Sequence, residues 1–236
     1  MRLDNFIKEY INIDEGIEDK GIFKAVFMAG SSGSGKSYTL KKIKSGSIEP
    51  RIVNIDKFIE AGYTDTDKSK KLTVSQLSLY LNSMLPLFVD STSSLQQAII
   101  TRYNTLENIG YDMAMIFVNT PLDVAIKRAG ERKERYVDPE FVEKSYNNLQ
   151  KMKGFLRSKF QLFIEVNNDG NELNNKVILN TFKKISYFYT SSIRNPIGKA
   201  NIETMKDNGW KYLTPNIYTK NELDRMTKMW FRSTRR

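Results

Sequence analysis

The 236-residue chain contains no cysteine and no histidine. Without cysteine there can be no disulfide framework and no thiolate metal site. Without histidine, imidazole ligands and the commonest general base are excluded, and acid–base chemistry falls to carboxylates, lysine or tyrosine. Also missing is any apolar run of the roughly 18–20 residues needed to span a bilayer. The N-terminal Met1-Arg2-Leu3-Asp4-Asn5 is too polar for a secretory signal. The expectation is a soluble, cytoplasmic protein, with 40% hydrophobic residues to build a core. Negative charge is the scarcer sign: 27 acidic residues face 37 basic ones, for a net +10. Of that excess, +8 lies in residues 171–236, where 13 basic residues face 5 acidic ones. Such asymmetry fits a polyanionic partner, nucleic acid first, and fits equally a solvated basic surface.

Short apolar runs alternate with helical patterns. Residues 22–29 read as a buried parallel strand ending at a glycine, and Ser37 to Lys44 as the helix that follows. Further strands fit Arg51 to Ile55, Leu85 to Val89, Tyr111 to Val118 and Leu162 to Val166. Helices fit Thr73 to Met84, Ser94 to Asn108 with Gly110 as terminator, a segment opened by Pro121, and one opened by Asp138-Pro139. This alternation predicts an α/β fold, a parallel sheet with helices on both faces, and the run Gly30-Ser31-Ser32-Gly33-Ser34-Gly35-Lys36-Ser37 after its first strand makes the expected fold a P-loop NTPase. Residues 1–170 would form that domain. Residues 171–236 would form a mostly helical, basic extension packed on the core, with a helix over 173–189, a loop around Asn195-Pro196-Ile197-Gly198 and a basic tail.

Between the first strand and the first helix stands Gly30-Ser31-Ser32-Gly33-Ser34-Gly35-Lys36-Ser37. The pattern G-x-x-x-x-G-K-[ST] in that setting is a phosphate cradle. Its glycines let backbone N–H groups converge on phosphates, Lys36 reaches the β- and γ-phosphates, and Ser37 offers a hydroxyl to Mg²⁺. Nucleotide contacts are assigned to Gly30, Ser31, Ser32, Gly33, Ser34, Gly35, Lys36, Ser37 and the adjoining Tyr38, with ATP and Mg²⁺ as the implied pair. Asp90, closing the run Leu85-Pro86-Leu87-Phe88-Val89, is the candidate second magnesium ligand or a cap for the next helix. Asp56, at the end of the second strand, is the candidate base toward an attacking hydroxyl. Arg128, Arg132 and Arg135 fall at helical spacing and can bring positive charge over a migrating phosphoryl group, unless Glu131 and Glu134 pair with that stretch as a solvated face.

The succession Gly30 to Ser37, Asn54-Ile55-Asp56-Lys57-Phe58, Val89-Asp90-Ser91-Thr92 and Arg135-Tyr136-Val137-Asp138-Pro139-Glu140 resembles the kinase domain of phage polynucleotide kinase and the related zeta-toxin group, over residues 22–168. The resemblance implies an ATP-dependent kinase with Asp56 as base, Asp90 near the metal, and Arg132 as the lid arginine one helical turn after Arg128. It also implies residence in the host cytoplasm if the gene is a phage's. The chain departs from the pattern where Asp56-Lys57-Phe58 is followed by Ile59 rather than an arginine that would grip an acceptor phosphate.

The acceptor expected first is a hydroxyl on nucleic acid, a 5′ end or a hydroxymethylated base in DNA. A nucleotide or nucleotide-sugar kinase, and a non-kinase NTPase, are the other readings. The tail Lys220 to Arg236 mixes Arg225, Lys228, Arg232, Arg235 and Arg236 with Trp230 and Phe231. Such a mixture can neutralise phosphates and stack on bases, or can dock Leu223, Met226 and Trp230 on the core.

Overall fold

The apolar run that leads into the glycine-rich loop is a strand buried along its whole length. A computed structural model of the chain describes residues 21–43, 50–53, 66–90, 96–131, 136–170 and 173–209, with positions 219, 221, 222, 225 and 230 beyond them. Within these residues the order is β1 (Lys24–Ala29), α1 (Lys36–Ile43), β2 (Arg51–Val53), α2 (Thr66–Asn82), β3 (Leu87–Asp90), α3 (Gln96–Ile109) and β4 (Asp112–Asn119). Then come α4 (Leu122–Gly130), α5 (Pro139–Lys159), β5 (Leu162–Asn167), α6 (Asn175–Thr190) and α7 (Pro196–Asp207).

All four strand pairings are parallel, and the sheet runs β2-β3-β1-β4-β5. Alternate residues of each strand feed two separate cores, which is why the strands read as continuous apolar runs rather than alternating ones. Ala25, Phe27 and Ala29 face the core shared with α2, α3 and α5, together with Met205 of α7 and Trp230. Val26 and Met28 face the opposite core, closed by Leu40 and Ile43 of α1 and by Ile185, Phe188 and Tyr189 of α6.

The order places β1 between β3 and β4, where the chain's connections depart in opposite directions. A parallel sheet binds ligands at such a switch point, outside the strands' carboxyl ends. Four chain positions of interest lie on that edge: the glycine-rich loop after Ala29, Asp90 at the end of β3, Thr120 after β4 and Asn168 after β5.

One feature differs from the sequence reading, and a second adds to it. Residues around Asn195-Pro196 start a helix rather than forming a loop: the Asn195 side chain accepts from Ile197 N–H and Gly198 N–H, and Pro196 occupies the first turn. Gly198 lies inside that helix because a Cβ there would stand 2.2 Å from the Gly110 carbonyl oxygen. The second is Lys24, a charge inside the apolar run. Its Nζ sits 2.7 Å from Asp112 Oδ2, with both side chains buried, and also donates to Ser191 Oγ and the Ser192 carbonyl at 3.2 Å each. Asp112 in turn accepts from Arg194 N–H at 2.9 Å and Asn195 N–H at 2.8 Å. This buried pair ties the α6–α7 connection to the amino edge of the sheet, the end opposite the glycine-rich loop. Burial lowers the Lys24 pKa, and the hydrogen bond and charge of Asp112 oppose that shift.

Trp230 is 2% exposed within the first core, so its ring is unavailable to stack on a base. Arg225 is exposed, and the remaining cations of the tail lie outside the described residues. No helix among the described residues is long and apolar enough to cross a membrane.

Candidate active site

The loop Gly30–Ser37 is held in shape from both sides. Gly33 and Gly35 adopt φ of +78° and +83°, the left-handed region that only glycine enters without strain. Both also have no room for a side chain. A Cβ on Gly33 would lie 2.0 Å from the Ala125 carbonyl oxygen of α4, and one on Gly35 would lie 2.3 Å from Asn168 Nδ2. The loop is therefore wedged between α4 and the segment after β5.

The Ser34 carbonyl receives two hydrogen bonds, from Thr120 Oγ1 at 3.0 Å and Asn168 Nδ2 at 2.8 Å. No peptide bond among the described residues is cis. In a trans peptide the C=O and the following N–H point opposite ways. Anchoring Ser34 O toward β4 and β5 thus turns Gly35 N–H to the other side, into the hollow of the loop. Asn168 is itself fixed: its N–H donates to the Asn119 carbonyl at 2.7 Å, and its carbonyl accepts from Arg128 Nη1 at 3.1 Å. Arg128 also donates from Nη2 to the Gly170 carbonyl. Arg128 is thus bound to the backbone beside Gly35.

Inside the hollow, Lys36 Nζ donates to the carbonyls of Gly30 at 2.8 Å and Ser31 at 3.0 Å. Curling onto its own loop keeps a nearly buried ammonium hydrogen-bonded. Ser34 Oγ is buried without a hydrogen-bond partner among the described residues. A polyphosphate fits this set. The residues that would hold it are the loop backbone, Lys36 and the Ser34 hydroxyl, with α1 presenting its positive end. Ser37 is exposed at the start of α1. Asp90 pairs in register with Met28, two residues before Gly30, on the strand next to the loop. Mg²⁺ commonly takes only one or two protein oxygens and completes its shell with phosphates and water, so one oxygen each from Ser37 and Asp90 would be enough to hold it.

No protein-family model matches the chain, and no curated protein does. Solved structures do. A chain in the crystal structure of AvrRxo1-ORF1:AvrRxo1-ORF2 with sulphate ions superimposes with a TM-score of 0.51 at 14% identity, covering 96% of this chain and 81% of that one. The PezAT chromosomal toxin-antitoxin system of Streptococcus pneumoniae gives a TM-score of 0.49 at 16% identity, covering 87% of this chain and 94% of that one. Shikimate kinase from Bacteroides thetaiotaomicron gives 0.44 at 15% identity, covering 68% and 95%.

This chain has the P-loop NTPase fold. Its sheet order, its glycine-rich loop between β1 and α1 and the acidic end of β3 carry that assignment independently of the comparisons.

Of the residues the sequence singled out, the P-loop fold brings Gly30 to Ser37 and Asp90 to one edge. Tyr38 lies on the outer side of α1, 36% exposed, with Lys42 Nζ 5.6 Å from its ring centroid. Arg128 reaches the same edge through Asn168 and Gly170. Asp56, Arg132 and Arg135 lie outside the described residues. Thr120 and Asn168 are the site residues the sequence reading omitted. The signal for them was positional: each stands two residues past the end of a predicted strand, where the carboxyl-edge rule places ligand-site residues.

Proposed function

We propose that this chain is a kinase that transfers the γ-phosphate of ATP, with Mg²⁺, to a hydroxyl on nucleic acid, either a 5′ end or a hydroxymethylated base in DNA. The observation that carries the reading is the built P-loop with Asp90 on the adjoining strand: an oriented cradle, a lysine and a carboxylate around one edge of the sheet. The hydroxyl oxygen attacks the γ-phosphorus, the bond from that phosphorus to the β–γ bridging oxygen breaks, and ADP leaves. Asp56, three residues beyond the end of β2, is assigned the proton of the attacking hydroxyl. Arg132 and Arg135, on the segment after α4 with Arg128 one turn earlier, are assigned the charge of the migrating group. Ser37 and Asp90 would hold Mg²⁺, which when bound would supply positive charge against the phosphate oxygens.

The P-loop fold by itself is shared by kinases and by NTPases that only hydrolyse. What favours transfer is the resemblance in motif order to the phage polynucleotide kinase and zeta-toxin group. The net charge of +10 favours a polyanionic acceptor.

The test is incubation with γ-labelled ATP and a panel of DNA, RNA, nucleotides and sugar nucleotides. Label on an oligonucleotide supports the reading. Label on a nucleotide or sugar nucleotide moves the acceptor to small molecules, and label recovered only as free phosphate removes the kinase reading altogether. The Asp56→Asn variant should lose transfer while binding ATP normally.

A further inference from the structure

Two neighbouring helices of the molecule carry cations with no acid in either. On the sheet face covered by α1 and α6, the two helices pack against each other and share a core through Leu40, Ile43, Val177 and Ile178. Neither contains an aspartate or glutamate, whereas α2, α3, α4, α5 and α7 each contain at least one. Their solvent sides present Lys41 and Lys42 on α1 and Lys176, Lys183 and Lys184 on α6, all exposed. None of the five forms an ion pair among the described residues.

Solvated helical surfaces ordinarily intersperse both signs, because acid–base pairs three or four residues apart stabilise a helix and like charges do not. Two helices with no such pair inside them leave their positive charge open to an external anion. The α6 positions are also aligned. Residues 176, 183 and 187 fall within about 40° of arc on a helix of 3.6 residues per turn. Tyr187, at the end of that line, is 76% exposed. The line from Lys176 to Tyr187 is about 16 Å long, the rise of roughly five nucleotides.

We propose that the α1–α6 face binds a nucleic-acid strand, with Lys176, Lys183 and Lys184 on backbone phosphates and Tyr187 as a stacking platform for a base. Lys41 and Lys42 add charge on the last turn of α1, the helix whose first turn carries Lys36 and Ser37 of the phosphate cradle. This deepens the kinase reading and rests on it only for the identity of the acceptor. An anionic lipid surface would need a broader apolar contact: the exposed side of α6 offers Leu179, but Asn180 and Thr190 lie on the same side. The tail is a poorer track, since its Trp230 is buried.

The experiment compares wild type, Lys176→Gln/Lys183→Gln/Lys184→Gln and Tyr187→Ala for binding to a fluorescent 20-nucleotide single strand across a salt series. Thermal midpoint and ATP affinity are the folding controls. The triple variant should flatten the slope of log K against log salt by about 2, at roughly 0.7 for each phosphate that is no longer neutralised. Tyr187→Ala should weaken binding about tenfold. An unchanged slope and affinity overturn the proposal, as does a strand that wild type does not bind. So does a triple variant that loses only its affinity for phosphatidylserine vesicles. Transfer of label to the same strand is read in parallel. Transfer that survives the triple substitution unaltered rejects the surface and keeps the acceptor; strand binding lost on substitution without any transfer in wild type keeps the surface and rejects the acceptor.

Discussion

The two hydrogen bonds on the Ser34 carbonyl permit a test of whether the P-loop is pre-shaped by its neighbours. Thr120→Val and Asn168→Ala each remove one donor and leave the other at 2.8 or 3.0 Å. A single lost hydrogen bond of this kind is worth about 0.5–1.5 kcal/mol, and the carbonyl keeps one partner. The double variant is different in kind. It leaves a buried carbonyl with no side-chain donor, a penalty of about 1–3 kcal/mol, and frees the Ser34–Gly35 peptide to rotate its N–H out of the hollow. The singles should therefore weaken ATP–Mg²⁺ binding by about threefold each. The double should bind about fivefold more weakly than the product of the two single effects, a coupling near 1 kcal/mol. Isothermal titration calorimetry gives the affinities, and urea denaturation gives the part that is simple destabilisation. Additive losses in affinity, or a coupling seen in stability with none in ATP binding, would refute the idea that these side chains aim an N–H at the phosphates.

Three further outcomes follow from buried groups elsewhere. Asp112→Asn should destabilise the fold by about 3–5 kcal/mol, because it strands the buried Lys24 ammonium, whereas Lys24→Met should cost less, because Asp112 keeps the N–H groups of Arg194 and Asn195; urea melts that reverse the order disprove the network. Burial, with a smaller contribution from Glu107, raises the Tyr103 hydroxyl to about 12. The unfolded chain then releases this proton near 10 while the folded chain retains it, so stability present below pH 10 is lost as pH rises toward 12, and Tyr103→Phe should flatten that decline in alkaline thermal melts. Gly198→Ala should lower stability by more than 1 kcal/mol in urea melts, because its Cβ would meet the Gly110 carbonyl oxygen at 2.2 Å, although the same change in an open helix raises stability by about that amount.

The last case marks where a sequence can be read and where it cannot. Strands β1, β3 and β4 were legible because burial on both faces makes an unbroken apolar run, and the phosphate loop because its glycines, lysine and serine act within eight consecutive residues. Asp138-Pro139 was legible as a helix start, and the Asp138 side chain does accept from Glu140 N–H. Asn195-Pro196 carries the same signature at the start of α7, yet reads as a loop because Gly198 follows it. The reason for that glycine is the backbone of Gly110, 88 positions earlier in the chain, and no local pattern announces such an approach. Lys24 is the same kind of case: its partner Asp112 becomes a neighbour only once β1 and β4 pair, with Lys24 opposite Asp112 in the register. Asn168 follows suit, since its bond to Ser34 spans 134 positions and exists only because β5 closes on β4, which closes on β1. The P-loop motif thus declares where phosphates would sit, while the residues that hold the motif in shape are supplied by strand order. A variant at Thr120 or Asn168 is accordingly a test of the sheet as much as of the site: if these positions prove indifferent to ATP, the loop keeps its form from its own glycines, and the order β2-β3-β1-β4-β5 serves only to build the core.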